Sequence, residues 1–133
     1  MRREQSRTIL IKGNNILISP GSTFLLPIRI DKEGTILKWT FSTDTYDIVF
    51  GFGSLKNGKV QKLKLDYEKY IGNGVYSASV KIDKKGDYGI EWDNSTSWIR
   101  EKRLTYTVEE ILPLPPLESR LQVHEYELSF STH

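Results

Sequence analysis

The sequence predicts an all-β protein, an antiparallel β-sandwich of jelly-roll-like type with about eight strands. Apolar and polar residues alternate over several short segments, and clusters of Gly, Pro, Asn, Asp and Ser separate these segments at near-regular spacing. No apolar repeat with the helical period of 3.6 residues extends over a useful length. Strands with one apolar face are stable when two sheets pack those faces together, which gives a sandwich.

The stretch 88–108 contains the clearest pair of strands. Apolar residues fall at alternate positions in both halves: Tyr88, Ile90 and Trp92, then Leu104, Tyr106 and Val108. Between the halves, residues 93–97 are short polar side chains that bond their own backbone, so a turn is predicted there. Trp98 follows on this connection. We expect it to plug the end of the core, and the alternative is an exposed Trp on which a ligand stacks.

The first third of the chain is predicted to begin with a loose charged arm over residues 1–7. Two apolar runs, Thr8–Lys12 and Ile16–Ser19, flank the turn signal Gly13-Asn14-Asn15, which indicates a hairpin. The next strand, at 24–30, contains Pro27. Because proline cannot donate to a ladder, this strand should lie at a sheet edge or carry a bulge.

Three more alternating segments, at 37–41, 46–52 and 76–82, complete the predicted sandwich. Residues 56–74 are interpreted as a long, partly ordered excursion. The strand phases place several large aromatic residues on inward faces, with Trp39 in the core. We expect one apolar cluster that contains Phe50, Trp92, Trp98 and Tyr106.

Length and composition limit the classes of function. At 133 residues the chain is expected to form one domain with its own core. The absence of cysteine excludes disulfides, thiolate metal sites and cysteine nucleophiles. With 19 basic and 17 acidic residues, the charge is too balanced to indicate nucleic-acid binding. Neither a signal peptide nor a membrane-spanning segment is predicted.

The loop at 53–59 has the glycine and lysine spacing of a phosphate-binding loop. However, Val60 replaces the hydroxyl residue that binds magnesium, and no amphipathic helix follows. A lysine-rich β-turn is therefore predicted.

The remaining chemical signals are also weak. Asp44 and Asp47 are interpreted as turn caps rather than paired catalytic carboxylates. His124 and His133 lie in the tail, far in sequence from carboxylate-rich strand ends. Asn94 begins a glycosylation sequon, which is interpreted as part of the turn. We predict no catalytic residue, no metal site and no cofactor, and the chain is not expected to be an enzyme.

A series of motifs resembles the GOLD domain, the Golgi-dynamics β-sandwich module. The motifs occur in order between about Asn15 and about Leu112: Ser19–Ser22, Leu37–Phe41, Tyr46–Gly51, Gly86–Tyr88, Trp92–Asn94, Ser97-Trp98 and Lys102–Val108. Their characteristic residues are Trp39, Phe50, Trp92, Asp93, Asn94, Trp98 and Tyr106. The sequence is most similar to the cytosolic kind found in CRAL-TRIO lipid-transfer proteins and acyl-CoA-binding Golgi adaptors. Lumenal members normally carry a cysteine pair, which this chain lacks.

The resemblance implies a non-catalytic protein-interaction module, an adaptor of membrane trafficking that binds a protein partner through sheet edges and loops. It implies a cytoplasmic location, peripheral at the Golgi or other endomembranes. The expected domain covers residues 1–112, and residues 113–133 form a linker and a further strand. The alternative function is a β-sandwich that binds a small ligand or an anionic lipid surface, favoured by three Trp residues and the lysine-rich excursion. A buried Trp98 would favour the adaptor.

Two segments are predicted to bind partners. Lys56, Lys59, Lys62 and Lys64 interleave with glycine and aliphatic residues, which suits an acidic protein or an anionic membrane surface. The second segment is the C-terminal strand, where Tyr126, Leu128 and Phe130 alternate with polar residues.

The prolines of Leu112–Leu117 predict a stiff polyproline II linker before that strand, and Pro113 and Pro116 alternatively have the spacing of an SH3 ligand. An unpaired strand seeks an edge, so the C-terminal strand should dock, with Thr8–Lys12 as the expected acceptor. Docking within one chain gives a monomer, and docking between chains gives a strand-exchanged dimer.

Overall fold

The computed structural model describes residues 7–44, 47–62, 68–70 and 74–114, and in these ranges it confirms the antiparallel β-sandwich. Nine strands are present in the described residues, and all of their pairings are antiparallel. They are β1 Thr8–Ile18, β2 Thr23–Ile30, β3 Thr35–Thr43, β4 Ile48–Lys56, β5 Lys59–Lys62, β6 Glu68–Tyr70, β7 Val75–Ile82, β8 Gly86–Asp93 and β9 Lys102–Ile111.

The first sheet has the strand order β1-β9-β3-β7, and the second has the order β2-β8-β4-β5. Strand β6 pairs with the beginning of β4, on the edge that β5 occupies further along. Because most connections cross between the sheets, the loops gather at the two ends of the sandwich. Those ends are where the functional candidates lie.

The core is built from the inner faces of both sheets, as the alternating pattern predicts. Trp92 is fully buried, stacks on Tyr106 with ring centroids 5.0 Å apart and meets Phe50 edge-on at 5.7 Å. Trp39 packs against Phe50 at 5.4 Å. The predicted cluster is therefore confirmed for Phe50, Trp92 and Tyr106, and Trp39 belongs to the same core.

The predicted hairpin near the amino end is wrong. Strand β1 continues from Thr8 to Ile18 and pairs with β9 on both sides of a bulge between Gly13 and Ile16. Asn15 adopts a left-handed conformation with φ 58°, and its amide N–H donates to Thr105 Oγ1 at 3.2 Å. The Gly-Asn-Asn signal thus produces a β-bulge, because β9 supplies pairing partners before and after the extra residues.

Pro27 lies on an edge strand, as predicted. Within the described residues β2 pairs only with β8, where Pro27 stands opposite Gly89. The proline, which has no backbone N–H, therefore lies on a strand with no described second neighbour that would need that donor.

The lysine-rich turn is also confirmed. Asn57 and Gly58, with φ 53° and 75°, form a two-residue turn that joins β4 to β5 and brings Lys56 opposite Lys59. This conformation suits a tight hairpin rather than a phosphate-binding loop. Asp44 also behaves as a turn residue, since its Oδ1 accepts the Arg103 amide N–H at 3.4 Å.

Gly53 makes the β4–β5 hairpin sensitive to one added methyl group. A Cβ at this position would stand 1.8 Å from the Gln61 carbonyl oxygen, a backbone atom of the paired strand. Gly53→Ala should therefore lower the free energy of unfolding by about 2–3 kcal/mol, measured by urea denaturation. The neighbouring exposed substitution Ser54→Ala should change it by less than about 0.5 kcal/mol. Equal midpoints for the two variants would contradict this role of Gly53.

The inner face of β9 carries a carboxyl group at one end, because Glu110 is only 8% exposed. Burial raises the pKa of Glu110, and the Asp31 carboxylate raises it further. Protonation thus favours the folded state, so the stability associated with this group is present below its unfolded pKa and is lost as the pH rises through the folded pKa. Glu110→Gln should raise the urea midpoint at neutral pH and leave it unchanged near about pH 4. An equal rise in the urea midpoint at neutral pH for Glu109→Gln, at an outward-facing position, would show that burial of Glu110 is not the cause.

Several predictions concern residues outside the described ranges. These are the docking of Tyr126, Leu128 and Phe130, the position of Lys64, the arm over residues 1–6, the two histidines and the linker from Pro115 onward. The domain boundary after residue 112 also stays a prediction. No helix in the described part of the chain has the length and apolar character needed to cross a membrane.

Candidate functional site

The connection between β8 and β9 forms the most distinctive feature of one sandwich end. It begins with an Asx turn, in which Asp93 Oδ1 accepts the Ser95 amide N–H at 2.7 Å and the Thr23 hydroxyl at 3.1 Å. The polar residues after the strand therefore turn the chain, as their sequence predicts. We call residues 95–100 the Trp98 loop.

Asn94 anchors this loop from below, and its side chain is buried. Its Nδ2 group donates to the carbonyl oxygens of Ile18 at 3.1 Å, Ser19 at 3.2 Å and Arg100 at 2.9 Å. Its Oδ1 accepts from the buried Lys102 ammonium group. One amide thus ties together the β1–β2 turn, the far side of the loop and the start of β9.

The tip of the loop is closed by Ser97 and Arg100. The Ser97 hydroxyl donates to the Arg100 carbonyl at 3.1 Å and accepts the Arg100 amide N–H at 3.2 Å. The two residues between them are Trp98, which is 90% exposed, and Ile99, which is 83% exposed. The loop therefore presents two large apolar side chains to solvent from a hydrogen-bonded frame.

The prediction that Trp98 plugs the core is wrong. The ring centroid of Phe24 lies 6.0 Å from that of Trp92 and 5.9 Å from that of Tyr106. Other aromatic rings therefore already fill this part of the core. The buried position beneath the loop is taken by Asn94, whose polar contacts hold the loop backbone. Trp98 is left on the outside.

A cleft of about 310 Å³ lies beside the Trp98 loop. Ile48 and Val49 are its apolar lining residues, and the rest of its lining is polar or charged: Asp47, Asp93, Asn94, Thr96, Ser97, Arg100 and Lys102. Carboxylates and cations are both present, so the cleft can hydrogen-bond a polar group of either sign. In the described ranges no group of three His, Cys, Asp or Glu side chains is arranged to hold a metal ion.

The structure does not bring the predicted lysines to this site. Lys56 ends β4 and Lys59 begins β5, both at the opposite end of the sandwich. Strand β4 has nine residues, so the two ends are roughly 26 Å apart at about 3.3 Å per residue. The backbone of Lys62 pairs with Gly53, part-way along the strand, rather than at the turn.

Sequence reasoning did not select Ile99 and Arg100. Ile99 is a second large apolar residue on an otherwise polar connection, and that signal was available in the sequence. The closure of Arg100 onto Ser97 depends on loop geometry and has no comparable signal. Both residues belong to the candidate site because they share its exposed tip.

Comparison with known proteins gives related sequences and a similar fold. No family model matches the chain. Protein ctg-1 of Caenorhabditis elegans is 30% identical over 95 residues, which indicates a related family. The match covers 67% of this chain, and the chain spans only 24% of that relative.

Solved structures also resemble the sandwich. Tripeptidyl peptidase 2 contains a similar region, with a TM-score of 0.55 and 10% identity over 81% of this chain and 10% of that chain. At this identity the likeness concerns the fold alone. The Tobacco streak virus coat protein has a TM-score of 0.46 and 14% identity over 83% of this chain and 89% of its own.

Proposed function

We propose that this chain is a GOLD-like, non-catalytic adaptor module of membrane trafficking that binds a protein partner through the Trp98 loop. A buried Trp98 would have favoured the adaptor, and because Trp98 is 90% exposed that argument does not support it. The proposal is supported instead by the exposure of two adjacent apolar side chains, Trp98 and Ile99, on a loop held by Asn94, since together they offer a larger contact surface than one stacking ring. The cytoplasmic location, peripheral at the Golgi or other endomembranes, belongs to the same proposal.

The loop has the properties of a binding hot spot. Trp and Arg are the residues most enriched in hot spots, and here Trp98 and Arg100 flank an exposed Ile99. Burial of a large apolar side chain stabilises a complex by about 1.5–3 kcal/mol. Because hydrogen bonds already order the loop backbone, binding costs less conformational entropy than it would for a loose loop.

The charges around the loop favour a protein surface over an anionic membrane at this end. Exposed Asp44 and Glu101 lie beside it, where Glu101 pairs with Arg103 at 3.7 Å. Asp47 and Asp93 line the adjacent cleft together with Arg100 and Lys102, so charges of both signs surround the loop. An anionic bilayer would attract the cations but repel the carboxylates of this rim, so the rim does not suit it as a whole. A protein partner can match such a mixed polar rim around an apolar centre.

The GOLD assignment is supported by what the Trp92-Asp93-Asn94 motif does locally. Trp92 fills the core, Asp93 forms the turn and Asn94 ties down the loop. The motif thus has a physical role in presenting the loop. The 30% identity with Protein ctg-1 agrees with a related family.

A second candidate function is favoured by the same exposed Trp98. An aromatic ring beside a polar cleft can stack on a small ligand, such as a sugar, while the cleft binds its hydroxyl groups. The loss of a protein complex and the loss of small-ligand binding are separable by experiment.

The test is quantitative affinity capture from a cell extract with the intact chain and two variants as bait. Trp98→Ala should reduce the captured amount of at least one protein about tenfold or more, because truncation of a hot-spot side chain costs about 2 kcal/mol or more of binding free energy. Leu10→Ala shortens a half-exposed apolar residue on β1 and should capture the same protein in an undiminished amount. Purified candidate proteins then confirm direct binding.

Capture profiles that are the same for the Trp98→Ala variant and the unmodified chain would contradict the adaptor proposal. Thermal unfolding provides the control, since both substitutions are exposed and should change the stability by less than about 0.5 kcal/mol. Binding of soluble sugars that depends on Trp98, without a captured protein, would favour the small-ligand function instead.

A further inference from the structure

The turn between β7 and β8 carries two adjacent lysines, Lys84 and Lys85, which lie close to the β4–β5 turn. Strands β4 and β8 are paired, with Ser54 opposite Tyr88. Lys56 lies two residues beyond Ser54, and Lys85, the last residue of the β7–β8 turn, lies three residues before Tyr88. Since paired strands are about 4.8 Å apart, the two turns stand side by side at the end of the second sheet.

Both turns have a fixed backbone. Asn57 and Gly58 hold the first in a two-residue turn with positive φ angles. In the second, the Tyr88 hydroxyl donates to the Lys84 carbonyl at 2.7 Å. The four lysine side chains, Lys56, Lys59, Lys84 and Lys85, are all exposed. We call them the lysine end.

Cations outnumber carboxylates among these described residues, since the four lysines and Arg29 face Asp31, Asp83 and Asp87. Asp31 and Asp87, near the ends of the neighbouring strands β2 and β8, both pair with Arg29 at 3.3 Å. None of the four lysines forms an ion pair in the described part of the chain. Asp83 is the one acidic residue inside the two turns.

The shape and chemistry of this end fit an extended anionic surface. Lysine ammonium groups act as point charges, whereas guanidinium forks would suit bidentate recognition of single phosphates. Nucleic-acid grooves usually combine cations with stacking aromatic rings, and the exposed Trp98 is at the opposite end of the sandwich. Clustered lysines on adjacent turn tips match the diffuse negative potential of a lipid headgroup layer.

We propose that the lysine end binds the surface of anionic membranes, which would leave the Trp98 loop facing away from the bilayer. This proposal does not rest on the protein-binding role of Trp98. It is carried by the pairing of β4 with β8, which assembles cations from two turns 25 or more residues apart in sequence into one patch.

The test is vesicle co-sedimentation of the intact chain with phosphatidylcholine vesicles that contain or lack phosphatidylserine. The unmodified chain should bind the anionic vesicles, and binding should weaken as the salt concentration rises. Lys56→Glu/Lys59→Glu and Lys84→Glu/Lys85→Glu should each weaken binding about tenfold or more. The matched control Lys12→Glu/Lys38→Glu makes the same charge change on exposed positions of the first sheet and should weaken it much less.

Three outcomes would overturn the proposal. The unmodified chain could fail to bind anionic vesicles, the control could lose binding as strongly as the turn variants, or single-stranded RNA could bind while the vesicles do not. Trp98→Ala should leave vesicle binding unchanged, so the failure of either proposal can be recognised separately. Thermal unfolding of all variants checks that the exposed substitutions leave the fold intact.

Discussion

Trp92→Ala is expected to lower the free energy of unfolding by about 4 kcal/mol. The side chain is fully buried and contacts rings from both sheets, including Tyr106 at 5.0 Å and Phe50 at 5.7 Å. Removing it forfeits the burial of a large aromatic group and leaves a cavity between the sheets. Chemical denaturation with urea, followed by circular dichroism, measures the change.

Two further variants make this expectation specific. Trp92→Phe should cost much less than Trp92→Ala, because it keeps a ring and because the buried Trp92 Nε1 has no hydrogen-bond partner among the described residues to lose. Trp98→Ala removes the same side chain from an exposed site and should change stability by less than about 0.5 kcal/mol. If the Ala variants at positions 92 and 98 unfolded at the same urea concentration, the core role of Trp92 would be refuted.

Asn94→Ala should cost about 3 kcal/mol, although it removes only a small polar group. The substitution leaves three backbone carbonyls without their amide donor and the buried Lys102 ammonium without one acceptor. Loss of a partner by a buried polar group costs about 1–3 kcal/mol, and more when the group is charged. The Trp98 loop should lose its fixed conformation as well, so we expect faster amide hydrogen exchange across residues 95–100.

Ser95→Ala is the matched control, since Ser95 is exposed and neighbours Asn94. Its stability and its loop hydrogen exchange should match those of the unmodified chain. Protection of the loop in the Asn94→Ala variant equal to that in Ser95→Ala would show that other contacts hold the loop.

Local sequence patterns predicted the strands well because burial on one face leaves a period of two. Trp39, Phe50, Trp92 and Tyr106 are core residues for that reason. The pattern does not extend to Trp98, where the chain has left the ladder. Its exposure depends on the hydrogen bonds from the Asn94 side chain to the carbonyls of Ile18 and Ser19, which are 75 or more positions away in sequence. Local composition does not predict such a long-range contact.

Tertiary pairing also decided two features that looked ambiguous in the sequence. Gly13-Asn14-Asn15 is a turn signal, and it becomes a bulge because β9 pairs with the chain on both sides of it. The predicted partner-binding lysines Lys56, Lys59, Lys62 and Lys64 form one run in the sequence. The structure separates Lys62 from the turn and places Lys84 and Lys85 beside Lys56 and Lys59 instead. Local residue spacing predicts neither the bulge nor this grouping of lysines.

The pairing of β1 with β9 has a consequence for synthesis of the protein. Strand β1 is synthesised before every other described strand, yet among the described residues it hydrogen-bonds only to β9, which ends at Ile111. The Leu112 amide N–H also donates to the Arg7 carbonyl at 2.8 Å. At roughly 5–20 residues per second, several seconds pass before that partner exists. During this interval the apolar face of β1, with Ile11, Ile16 and Ile18, has no sheet to cover it. The nascent chain should therefore depend on chaperones until β9 has left the ribosome.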